Sequence, residues 1–156
     1  MELKIYYQNY QKLKKHFKDI MKFEPKIIIG EIFKDRRGKL YSCNNFDMSK
    51  IVRMYFIENF DSNYIRGWKG HKIETRWFFA SKGSIIIRTI SISDLEKSNP
   101  SPIIKTFKLN EDNLNVLEVP PGFATSIKQY SNGDRICVFA DYEIGVSDVE
   151  DLRWEL

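Results

Sequence analysis

Beyond residue 25 this chain is cut into short pieces, and that punctuation limits the fold more than any other feature. Runs rich in Ile, Val, Phe, Tyr and Thr alternate with turn clusters at a spacing of about 8–12 residues, the pattern of an antiparallel sandwich or barrel. Residues 26–33 hold Ile27-Ile28-Ile29, Asp35-Arg36-Arg37-Gly38 makes a tight turn, and residues 39–43 continue as the second arm of a hairpin. Further strands are predicted over 51–58, 75–80, 84–92, 103–109, 115–119, 125–130 and 136–142. In 84–92 both alternating sets are largely apolar, as in a strand buried on both faces. The turns fall at Lys82-Gly83, Pro120-Pro121-Gly122 and Ser131-Asn132-Gly133-Asp134, and Asn-Gly between strand patterns is a strong hairpin signal. Residues 94–102, with Asn99-Pro100-Ser101-Pro102, read as a polar loop. The fold class is therefore all-β, with a jelly-roll arrangement expected.

The segment before Pro25 follows a different period. Leu3, Tyr6, Tyr10, Leu13, Phe17 and Ile20 recur at three- and four-residue steps, which predicts an amphipathic helix ended by Pro25. The expected organisation is an N-terminal helix over 1–25 and one barrel domain over 26–156. Residues 1–22 hold six lysines against Glu2 and Asp19, whereas the remainder holds 19 basic and 19 acidic residues. The net charge of +4 thus belongs to the helix, which argues against nucleic acid as the partner. Tyr6 and Tyr10 on the stripe favour packing against the barrel or a dimer mate over docking on a membrane. His16 lies on the lysine-rich face and reads as solvated. Two cysteines without short-range pairing, Cys43 and Cys137, suit neither a zinc ribbon nor a disulfide framework. With no apolar leader and no membrane-length apolar run, a cytoplasmic protein without an integral membrane segment is expected.

The chemistry concentrates in Arg66-Gly67-Trp68-Lys69-Gly70-His71-Lys72, followed by Arg76 and Gly83. This spacing resembles the first sequence motif of the cupins, double-stranded β-helix barrels of jelly-roll type. Metal-binding cupins place His, His and Glu where this chain has Lys69, His71 and Arg76. Two ligands have become cations, which cannot coordinate a divalent metal but can hold an anion, so neither metal nor cofactor is expected.

Further pieces sharpen the resemblance: Phe33-Lys34-Asp35-Arg36-Arg37-Gly38, residues 51–57, Val119-Pro120-Pro121-Gly122-Phe123-Ala124, Asp141-Tyr142 and Arg153-Trp154. In this order they resemble the nucleotide-sugar 3,5-epimerase and 3,4-ketoisomerase group of cupins (RmlC-like and WxcM-like). The resemblance runs from about Ile27 to Trp154 and leaves out the N-terminal helix. It implies proton abstraction next to the ketone of a dTDP-linked 4-keto-6-deoxyhexose, in the making of surface-polysaccharide sugars, by a homodimer.

Three positions depart from the epimerase pattern. Lys69 stands where the base His is found, Thr125 replaces a second His, and Cys137 occupies the place of the catalytic Tyr. The ketoisomerase pattern, Arg-Gly-x-His-x-His-Lys, keeps its second His as His71. His71 is therefore the expected proton-transfer residue, since imidazole titrates near neutrality. Lys69 shares its strand face and acts either as a base or as a holder of an anion or carbonyl oxygen. Tyr130 and Tyr142 are candidate phenol acids, or core aromatics. Arg37, Arg66, Arg76 and Lys128 are candidate substrate contacts, and Trp68 either stacks on a base or sugar or packs the barrel. For Arg66 and Arg76 the alternative is an ion pair with an acid such as Glu74 or Asp141. The function read from this is enolising isomerisation or epimerisation, the competing reading an inactive sugar-nucleotide-binding cupin.

Overall fold

The computed structural model describes residues 23–145 and 151–156. The helix expected over 3–22 lies outside them. Among the described residues twelve strands, numbered in chain order, form two five-stranded antiparallel sheets and a separate hairpin. The first sheet runs β1 (Lys26–Ile28), β9 (Val116–Val119), β6 (Arg76–Lys82), β11 (Arg135–Ala140), β4 (Arg53–Glu58). The second runs β12 (Leu152–Arg153), β5 (Ile65–His71), β10 (Phe123–Gln129), β7 (Ser84–Ser91), β8 (Lys105–Asn110). Sequential strands thus change sheets repeatedly, which makes the jelly-roll barrel that the turn spacing implied.

The core lies between the sheets. Phe78 and Ala80 of β6, Leu117 and Val119 of β9, and Ile136 and Val138 of β11 meet Ile85 and Ile87 of β7, Leu109 of β8 and Ile127 of β10. The period of two puts their neighbours outside. Trp77, Phe139 and Cys137 pack on the outer face of the first sheet under Phe46 and Ile51. On the outer face of the second sheet, Trp68, Ile90 and Ala124 pack with Ile92, Leu95 and Trp154.

Several boundaries differ from those read in the sequence. The expected strand over 26–33 divides into β1 and β2 (Glu31–Asp35) at Gly30, whose N–H donates to Asn115 Oδ1 at 2.9 Å instead of joining a ladder. β2 pairs with β3 (Gly38–Ser42) as the predicted hairpin. The expected polar loop over 94–102 begins inside a short helix, α1 (Ile92–Glu96), because Ser91 caps it by accepting the Asp94 N–H at 3.0 Å. β7 is fully buried on one face and half-buried on the other.

At the end of the barrel away from His71, Asp134 is 6% exposed and its Oδ2 accepts N–H groups from Ser131, Tyr130 and Ser84 at 2.9, 3.1 and 3.2 Å. One carboxylate therefore ties the β10–β11 turn to the start of β7. Asp134→Ala is expected to lower unfolding free energy by about 2 kcal/mol, because these donors lose a charged acceptor. Urea titration followed by tryptophan fluorescence measures it, and an unchanged midpoint would show that water replaces the carboxylate without loss.

Candidate functional site

β5 presents alternate residues to the barrel interior, so Lys69 and His71 face inward while Trp68 and Gly70 face out. Gly67 permits this path. Its φ is +130°, and a Cβ there would lie 2.6 Å from the Thr125 carbonyl oxygen on β10, beside an irregularity in the β5–β10 register. Arg76 enters from β6 in the facing sheet, and Thr125 from β10. Tyr55 of β4 completes the inner wall.

These residues line two adjoining cavities. The larger, about 400 Å³, is bounded by Tyr55, Arg66, Lys69, Arg76, Arg153 and Trp154. The smaller, about 280 Å³, adds Arg53, His71 and Asp151. Net charge along the walls is positive, and the apolar floor is Phe78, Ile57 and Ile127. The surface is suited to an anion with a neutral ring attached.

His71 is 4% exposed, and neither ring nitrogen has a hydrogen-bond partner. Burial, followed by the charge of Arg76, pushes its pKa from 6.5 down to about 4, so the ring is neutral at pH 7. Three residues on, the Glu74 carboxylate is 2% exposed. It accepts a short hydrogen bond from Arg76 Nε and one of 2.9 Å from Arg53 Nη2, and its Oε1 lies 4.0 Å from His71 Nε2. Burial alone would raise the Glu74 pKa, but Arg76 and Arg53 outweigh it and the carboxylate stays ionised. Lys69 Nζ pairs with Asp151 Oδ2 at 3.1 Å. The Asp151 acid, raised by burial and lowered by Lys69 and Arg153, ends below its ordinary value.

Arg66 is held differently from the expectation of an acidic partner. Its Nε donates to Asn59 Oδ1 at 2.7 Å, and Asn59 N–H donates to the buried Gln129 Oε1 at 2.8 Å. Its guanidinium lies 5.9 Å from the centre of the Tyr64 ring. Arg76 does pair with Glu74, as anticipated for one of its two alternatives.

Of the residues singled out in the sequence, His71, Lys69, Arg66, Arg76 and Trp68 therefore come together. Trp68 is mainly packed on the outer face against Trp154, with one side on the cavity. Tyr130 is not brought in: it follows β10 at the far end, half exposed, with Lys108 over its ring at 5.0 Å. Lys128 points outward from β10 and is exposed. Tyr142 follows β11, half-buried, and Arg37 is on the exposed hairpin, bound to Asp35. Cys137 is fully buried on the outer face, its thiol pushed up to about 11 by burial. Tyr55, Glu74 and Asp151 are the site residues that strand pattern alone did not single out. Burial raises the Tyr55 pKa, so its phenol remains a proton donor. Among the described residues no three His, Cys, Asp or Glu side chains gather as a metal-binding group.

A sequence model of the WxcM-like, C-terminal family (FdtA) matches residues 19–152. No curated protein matches the sequence. A mutant of the 3,4-ketoisomerase QdtA from Thermoanaerobacterium thermosaccharolyticum, in complex with TDP-4-keto-6-deoxyglucose, is similar in structure with a TM-score of 0.65. The identity is 21%, over 85% of this chain and 88% of that one. A 3,4-ketoisomerase from Helicobacter canadensis gives 0.61 at 22% identity, over 80% and 89%. The dTDP-4-dehydrorhamnose 3,5-epimerase from Bacillus anthracis, with TDP and PPi bound, gives 0.63 at 20% identity, over 79% and 75%. At these identities the likeness is one of fold, and the fold is the cupin barrel.

Proposed function

Because the chain belongs to the WxcM-like, C-terminal family, we propose that it isomerises or epimerises a dTDP-linked 4-keto-6-deoxyhexose by enolisation. His71 carries this reading. A neutral imidazole with both nitrogens unpartnered, inside a cavity walled by cations, is a base waiting for a carbon acid on an anionic carrier. His71 takes the proton from the carbon beside the ketone, the electron pair becomes a carbon–carbon double bond, and the carbonyl oxygen gains the charge. Tyr55, from the facing sheet, is the phenol placed to return a proton. Lys69 contacts the sugar oxygens, and Arg66 with Arg153 holds the diphosphate at the mouth.

The setting is cytoplasmic sugar-nucleotide metabolism feeding a surface polysaccharide, and the assembly is a homodimer. Exposed Val52, Met54 and Phe56 around edge strand β4, and exposed Phe33 and Leu40 on the separate hairpin, support the dimer. Arg37 on that hairpin would then serve a neighbouring subunit's nucleotide. No helix among the described residues is long and apolar enough to cross a membrane.

Deuterium wash-in tests the reaction. In D₂O with dTDP-4-keto-6-deoxyglucose, the ring proton next to the ketone should disappear from the NMR spectrum in the presence of the protein. Absent exchange, with dTDP still raising the melting temperature, favours the competing reading of a catalytically inactive sugar-nucleotide-binding cupin. Lys69, Thr125 and Cys137 at the epimerase positions are what support that second reading.

A further inference from the structure

Arg66, Arg76 and Arg153 all border the large cavity, yet they differ in depth and in what fixes them. The Arg153 side chain is 73% exposed and Arg66 is exposed at the start of β5, whereas Arg76 is 8% exposed at the inner end. A diphosphate is bulky and strongly hydrated, so drawing it to Arg76 would strip its water with little room to replace it. A single sugar oxygen has no such difficulty.

The arrangement around Arg76 is also specific. Glu74 Oε1 accepts from Arg76 Nε and stands 4.0 Å from His71 Nε2, so one buried oxygen fixes the guanidinium close to the imidazole. Arg76 is anchored through Nε, and among the described residues its Nη groups make no hydrogen bond, which leaves them to the cavity. Lys69 is a weaker candidate for the same task, being paired to Asp151 with a side chain 36% exposed. Charge developing beside a fixed, buried donor is stabilised more than beside a solvated one.

Resting on the enolisation reading above, we propose that Arg76 is a catalytic residue that holds the enolate oxygen, and that Glu74 is the positioning residue that aims it. As His71 accepts the proton from carbon, that C–H pair forms the new C=C bond and the C=O π pair moves to oxygen, where it stays as an oxyanion to which the Arg76 Nη–H groups donate hydrogen bonds. The diphosphate is left to Arg66 and Arg153.

The test compares Arg76→Gln, Arg76→Lys, Glu74→Gln and Arg66→Gln for two readouts: deuterium exchange from dTDP-4-keto-6-deoxyglucose, and the Kd of dTDP by calorimetry. Arg76→Gln should cost about 10²–10³-fold in exchange with an unchanged dTDP Kd. Arg66→Gln should weaken dTDP instead. Glu74→Gln should lower kcat more than it raises KM, and Arg76→Lys, which keeps the charge and can still pair with Glu74, should fall between wild type and Arg76→Gln. Arg76→Lys also serves if Arg76→Gln does not fold. Unchanged exchange in the Arg76 variants overturns the proposal, as does a loss of dTDP affinity equal to that of Arg66→Gln. Absence of exchange in the wild-type protein overturns the enolisation reading itself, and this assignment with it.

Discussion

Replacing His71 with Asn should slow solvent exchange from the bound keto-sugar by about 10²–10⁴-fold, the usual worth of a positioned general base. Binding of dTDP should survive, because Arg66 and Arg153, proposed above to hold the diphosphate, lie elsewhere on the cavity wall. The pH profile makes the assignment sharper. With the His71 pKa near 4, the acid limb of kcat/KM should fall near pH 4 and not near the 6.5 of an ordinary imidazole. A limb that persists unchanged in His71→Asn would remove His71 from the role.

The same group affects stability with a definite sign. The folded form excludes a proton that the unfolded chain binds between pH 6.5 and about 4. Stability contributed by neutral, buried His71 is therefore complete above 6.5 and lost progressively as pH falls to about 4. Over that window the loss is about 3 kcal/mol. Groups common to both proteins cancel in the comparison, so the difference between wild type and His71→Asn isolates this contribution. Denaturant midpoints at pH 7 and pH 4.5 should diverge in the wild type by more than in the variant.

The barrel was legible in the sequence because its information is local. Turn residues such as Asn132-Gly133 and Pro120-Pro121-Gly122 interrupt runs of strand formers, and each interruption is where the chain reverses. Lys69 and His71 were legible as a pair because a strand repeats every two residues. The same rule explains one miss: once Thr125 faces inward, Lys128, three residues on, faces out. Tyr130 failed for a different reason. Being aromatic near the end of a strand says nothing about which end of the barrel holds the cavity. Tyr55, Glu74 and Asp151 lie on β4, on the turn after β5 and beside β12. Tyr55 reaches His71 only because the two sheets close over each other, and Asp151 because β12 pairs with β5, long-range events that leave no periodic trace. Glu74 did have a signal: an acid midway between His71 and Arg76 has few places to go except toward them.

That acid should also be the side chain whose loss the fold tolerates least. Glu74 is fully buried between the guanidiniums of Arg53 and Arg76, whose side chains are 17% and 10% exposed. Its carboxylate pairs with both cations where little water reaches them. Glu74→Leu removes the only negative charge of that trio and leaves the Arg76 guanidinium, beside His71, with no carboxylate partner among the described residues. Breaking a buried ion cluster from one side costs about 3–5 kcal/mol, and for a chain of this size that lowers the melting temperature by roughly 10 °C. The double variant Glu74→Leu with Arg76→Met should recover part of the loss, since it removes one stranded charge together with the carboxylate and fills the space with apolar atoms. Calorimetry on the three proteins at pH 7 measures both steps. A Glu74→Leu protein within about 1 kcal/mol of wild type would mean that water reaches these arginines and that the cluster behaves as a surface pair. The low dielectric on which the Arg76 assignment depends would then be absent.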